Sequence, residues 1–178
     1  MAIESIFGQL FLALQNLIKT KCPSVRWIDL DLGQLEEDTM RPAVSFPCVL
    51  IDFNQSTFED LQRKAQKGQG VFTLRIGFAS YSQTASTTPA PVTEKGLQFF
   101  EIENEVFKAV QGFEAEGLVD CCSRVNVATE RREDGLRVRV MTFNFDYEDH
   151  SARVIRKAPK PDLDFCGHVG GLTVELNP

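Results

Sequence analysis

The stretch "VFTLRIGFASY", residues 71–81, constrains the fold more than any other part of the chain. Phe72, Leu74, Ile76 and Phe78 fall at every second position, with Val71, Thr73, Arg75 and Gly77 between them. Side chains alternate across a strand, so this spacing predicts a strand with one continuous apolar face. Such a face has to be covered. Residues 2–20 supply a matching surface: Ile3, Ile6, Phe7, Leu10, Leu14, Leu17 and Ile18 recur at helical spacing, with Gln9, Gln15, Asn16 and Lys19 off the stripe. Pro23 ends that helix. A helix with one apolar stripe predicts packing across a sheet.

The other elements follow by the same reasoning. "VRWIDLDL" (25–32) reads as a short strand or extended segment, and "GQLEEDTMRPA" as a polar connector. "AVSFPCVLIDF" (43–53) is a strand that Pro47 confines to an edge or forces to bulge. The polar run 54–70 is either a short surface helix ended by Gly68 or a long hairpin excursion. Residues 82–92 have turn chemistry. Thr93 is the expected N-cap of a second helix over 94–111, and Gly112 its stop. A hairpin completes the body: 119–130, a turn at Asp134-Gly135, and 136–149.

The last of these strands is ambiguous. Val138 and Val140 share one parity, while Met141, Phe143, Phe145 and Tyr147 share the other. It either carries a bulge near 140–142 or is apolar on both faces, and the second case implies a partner on the outer face. The tail, 150–178, is rich in Pro and Gly and reads as an extended C-terminal arm ending in "LTVEL". The expected organisation is therefore one α+β domain over 1–149 plus that arm. The domain holds a mixed or antiparallel sheet of about four to five strands, with two helices on one face.

Composition narrows the function. The chain has 14 Phe against two Tyr and one Trp, a large apolar payload without polar handles that suits a core or a subunit interface. A net charge of −6, with bases interleaved among acids in "TERREDGLRVRV", argues against a grip on nucleic acid. No apolar run reaches the ~20 residues of a membrane span. Glu4 stands where a signal peptide would carry a base, so the expectation is a protein made in the cytoplasm. The five cysteines are irregularly spaced and expected to be free thiols.

Residues fit for catalysis are few. The chain has no Gly-rich phosphate loop, no HExxH and no GxSxG. His150 follows "DYED", and His168 lies two residues from Cys166 in "CGHVGG", but neither belongs to a set with metal-ligand spacing. Glu36, Glu37 and Asp38, and Asp146, Glu148 and Asp149, read as solvated acidic edges. No catalytic, cofactor or metal residues are expected. The interface candidates are Met141, Phe143, Phe145, Tyr147 and Phe165.

The order of elements resembles the tail terminator and tail-completion proteins of long-tailed bacteriophages. The features that carry the likeness are the opening helix, "PAVSFPCVLIDF" after a polar connector, "VFTLRIGFASY" running into a loop and helix, and the "RVNVATE…LRVRVMTFNFDYED" hairpin. It covers roughly residues 2–149 and transfers no residue-level site. The resemblance implies a tail-terminator-like fold and a homo-oligomeric ring, possibly a hexamer, at the head-proximal end of a tail. The implied partners are tail tube and head-connector proteins. It further implies a structural role without cofactor or enzymatic activity, located in a virion tail and made in the host bacterial cytoplasm. Other readings stay open: a tube or baseplate subunit, or a stand-alone ligand-binding or regulatory domain whose Phe-rich face lines a pocket. An enzyme would first show itself as a cleft joining His150 or His168 to a carboxylate or thiol.

Overall fold

A computed structural model describes residues 3–37, 39–79 and 84–152. The elements run α1 (Ile6–Lys21), β1 (Trp27–Leu30), β2 (Cys48–Asp60), β3 (Gln66–Phe78), α2 (Ala90–Val110), β4 (Ser123–Glu130) and β5 (Arg137–Asp149). The strands form one five-stranded sheet in the order β1-β2-β3-β5-β4. β1 and β2 are parallel and the other neighbours antiparallel, so the α+β class and the mixed sheet are as the sequence predicts.

Both helices lie on one face. Leu10, Leu14 and Ile18 of α1 and Phe99, Ile102, Val106 and Val110 of α2 bury against Val49, Ile51, Phe72, Leu74, Ile76, Met141 and Phe143. The alternation in β3 is the reason: every even residue from Phe72 to Phe78 faces the helices and is buried. Lys19 and Lys21 sit in the last turn of α1, where they oppose its negative end. Gly112 takes φ +76°, a left-handed conformation that turns the chain just past α2 as expected.

Two local expectations are corrected and two open alternatives are decided. Of the two readings of 54–70, the long hairpin excursion holds and the helix does not. The segment is the far half of a 13-residue β2, a 3₁₀ turn at Gln62–Lys64, and the start of an equally long β3. Pro47 neither bulges the strand nor sits within it; β2 begins at Cys48, and the bulge falls at Asn54, between Phe53 and Gln55. α2 starts at Ala90 with Pro91 in its first turn, so Thr93 lies inside the helix rather than capping it. The hairpin bulge is in β4, between Arg124 and Asn126, while β5 pairs with β3 in unbroken register.

Gly68, the helix stop of the alternative reading, and Gly70 both serve the sheet. They pair with Tyr147 and Phe145 across β3 and β5. A Cβ at Gly70 would lie 2.3 Å from the tip of the Phe145 ring, and one at Gly68 would lie 2.4 Å from that of Tyr147. The glycines are the floor on which two aromatic rings lie.

Candidate functional site

The candidate interface residues of β5 fall in the core. Met141, Phe143, Phe145 and Tyr147 are 0–3% exposed, covered by the protein's own helices. Phe72 stacks on Phe143 with centroids 5.3 Å apart, and Phe145 stacks on Tyr147 at 5.5 Å. This face is filled by side chains, and Tyr147 at its end also borders an open groove. Phe165, and with it Cys166 and His168, lies outside the described residues.

β5 is apolar on both faces without needing a partner. Val138 is buried with Leu35, Val44, Cys48 and Leu50, and Val140 packs against them. The chain's own connector between β1 and β2 lies over this outer patch. Ion pairs hold it there. Arg75, on the outer face of β3, reaches Asp31 at 2.8 Å, Glu36 at 2.5 Å and Glu130 at 2.8 Å. Arg132 bonds Glu36, Glu130 and Asp134, and donates to the Leu35 carbonyl at 2.6 Å. Glu36 stays exposed to solvent, as expected of an acidic edge, but is ion-paired as well. Hydrogen bonds from Arg75 and Arg132 hold its carboxyl down at about 2. The Arg132 hydrogen bond does the same for Asp134. Nor are the hairpin arginines merely solvated: Arg139 clamps the buried Glu103 of α2, and Arg124 lies 3.6 Å over the Phe107 ring.

Four cysteines are described and all are free. Burial pushes the Cys22 and Cys48 thiols up to about 11 and that of Cys122 to about 12, so they are weak nucleophiles at neutral pH. Cys121 is exposed, facing away from its buried neighbour Cys122.

One cleft does involve His150. It is an open groove of about 750 Å³ between the 114–120 loop and the end of β5, lined by Glu114, Glu116, Asp120, Glu148 and His150 with Leu118. His150 Nε2 stands 3.0 Å from the Glu148 carboxylate, and both side chains are about half exposed or more. Tyr147 also borders the groove, its hydroxyl buried, and among the described residues no three His, Cys, Asp or Glu converge as metal ligands. The cleft is an acidic surface.

The remaining surface is dominated by strand edges. β1 covers β2 only from Cys48 to Ile51, and β4 covers β5 only up to Asn144. Beyond these points β2, β3 and β5 continue as a three-stranded ribbon, 54–60, 66–70 and 145–149. Among the described residues no backbone pairs with the outer side of β2 past Ile51. Phe58 and Leu61 near the ribbon's tip are 48% and 41% exposed. Phe58 touches only the edge of Tyr147 among the aromatic rings. On α2, Leu97 and Phe100 are each 44% exposed, and on edge strand β4 Val125 is 55% exposed.

No protein-family model matches the sequence, and no curated protein does. Among solved structures, a chain of the "Virion of native gene transfer agent (GTA) particle" aligns with 82% of this chain and 92% of its own length. The TM-score is 0.41 and the identity 11%. A likeness of that size carries no functional argument. No helix among the described residues is long and apolar enough to cross a membrane.

Proposed function

We propose that this protein is a structural subunit of a phage-like particle and, more finely, a tail terminator or tail-completion protein that assembles as a ring at the head-proximal end of a tail. The observation that carries the reading is the ribbon. Three strands run past the short strand β1 and past the end of β4, leaving a long unpaired edge on β2, a short one at Glu148 of β5 and a half-exposed Phe58 near the tip. An uncovered edge is a template for pairing with another chain. The two edges lie on opposite sides of the sheet, so a contact joining one to the other is heterologous and closes into a ring if the rotation permits. The element order that resembles the terminators is present in the fold, and the acidic surface is no obstacle to protein partners.

The ligand-binding alternative loses its main support, because the Phe-rich face is packed solid beneath α1 and α2. The test is negative-stain imaging of the purified chain across a concentration series. Closed rings with a central hole are expected. Monomers or dimers at every concentration, even with tail tubes added, would overturn the assignment.

A further inference from the structure

β5 has a second free stretch, and the acidic cleft lies along it. Asp120 donates its backbone N–H to the Asp146 carbonyl on the side of β5 that β4 has left. Glu148, two residues on, presents its N–H and carbonyl to that same side. No described backbone group meets them. An extended peptide laid here would find the unpaired backbone N–H and carbonyl of Glu148 on one wall. On the other it would find Glu114, Glu116 and Asp120, none of which is paired with a base among the described residues. Among the described residues, no Lys or Arg lines the groove.

The chain supplies a segment of the opposite charge. Residues 153–160, "RVIRKAPK", hold Arg153, Arg156, Lys157 and Lys160 and no acid. Val154 and Ile155 are β-branched and suit an extended conformation, and Pro159 ends any pairing. The run follows Ala152 at the end of the described chain. Ala152 shares a recess with Asp60, Leu61 and Lys64, at the β2–β3 turn and across β5 from the groove. A run of eight residues extends at most about 27 Å, enough to leave the subunit and reach a neighbour.

We infer that the free edge of β5 and its acidic groove receive the basic segment 153–160 of a neighbouring copy of this chain. Each subunit gives one arm and takes one, a head-to-tail contact that suits ring closure. The inference rests on the ring reading, and names the contact that ties one subunit to the next.

The experiment uses the full chain in four forms: wild type, Glu114→Lys with Glu116→Lys, Arg153→Glu with Arg156→Glu and Lys157→Glu, and all five substitutions together. Native mass is measured against concentration for each. The wild type is expected to assemble, each one-sided variant to need about tenfold or more protein for half-assembly, and the combined variant to recover, since like charges facing each other oppose association and the swap restores attraction. Recovery in the combined form would also show that the one-sided variants are folded. If the wild type assembles and the one-sided variants match it, or the combined variant fails to recover, the arm contact is refuted while the ring stands. If the wild type stays monomeric throughout, the ring reading and this contact fail together.

Discussion

Replacing Gly70 with Ala should destabilise the protein, although the usual effect in a strand has the opposite sign. Glycine within a strand normally costs roughly 0.5–1 kcal/mol relative to alanine, because its backbone loses more freedom on folding. At position 70 the added methyl would lie 2.3, 2.6 and 2.9 Å from three carbons of the Phe145 ring. The ring has nowhere to go: Phe145 is 2% exposed, with Phe72 at 5.7 Å and Tyr147 at 5.5 Å. Forcing a methylene into a filled core costs typically about 1–3 kcal/mol. Set against the backbone gain, the net loss is about 1–2 kcal/mol, or roughly 2–8 °C in melting temperature for a chain of this size. Urea unfolding of four proteins would measure it: wild type, Gly70→Ala, Phe145→Leu, and the double variant. The Phe145→Leu background removes the ring tip, so Gly70→Ala should cost much less there, and the cycle should show coupling of about 1 kcal/mol or more. A Gly70→Ala protein as stable as wild type or more so, with no coupling to Phe145, would refute the packing of rings over glycines.

Three further predictions concern other parts of the molecule. Glu36 and Asp134 have folded pKa values lowered to about 2, below their ordinary values of 4.5 and 3.8, so the unfolded chain binds their protons first and stability should fall as pH drops from about 4.5 towards 2. Glu36→Gln should be less stable than wild type at pH 7, with the gap closing near pH 2; a gap that widens in acid would contradict the ion network. Maleimide labelling should modify Cys121 in the native protein while Cys22, Cys48 and Cys122 react only on unfolding; rapid native labelling of any of the three would place them wrongly. Limited proteolysis of dilute protein should cut within 84–89, between β3 and α2, before it cuts within β2 or β3; early cleavage at 54–58 would show that the ribbon does not persist in the free subunit.

Much of the scaffold was legible because it follows from simple periods. The alternation from Phe72 to Phe78 and the helical stripe of Leu10, Leu14 and Ile18 each name a buried face, and the structure joins the two. What escaped were features whose signal depends on a distant partner. Gly68 and Gly70 look like helix breakers in sequence, because the rings that need them lie on β5, far along the chain. The double parity of β5 was visible, but Leu35, which helps cover Val138 and Val140, sits in a connector that reads as merely polar, and Val44, beside it, in a segment that reads as strand. Arg75 interrupts a strand face without comment in the sequence, and its three carboxylates come from three separate segments. The same limit explains the candidate interface. Aromatic excess marks burial, but only the fold shows that Phe143 and Phe145 are buried by the chain itself and that Phe58 is left half exposed. The acidic groove was invisible for the same reason, since Glu114 and Glu148 meet only after β5 passes the 114–120 loop.

The central claim is that the unpaired edges of the ribbon are the surfaces through which copies of this chain meet. Hydrogen exchange resolved to single peptides tests it directly, comparing dilute with assembled full-length protein. The account predicts that the outward-facing amides of 54–60 and that of Glu148 exchange within the time of an open edge when dilute, and become protected in step with assembly, while the core of β3 stays protected in both. Assembled protein in which those amides exchange as fast as in the dilute sample would contradict it.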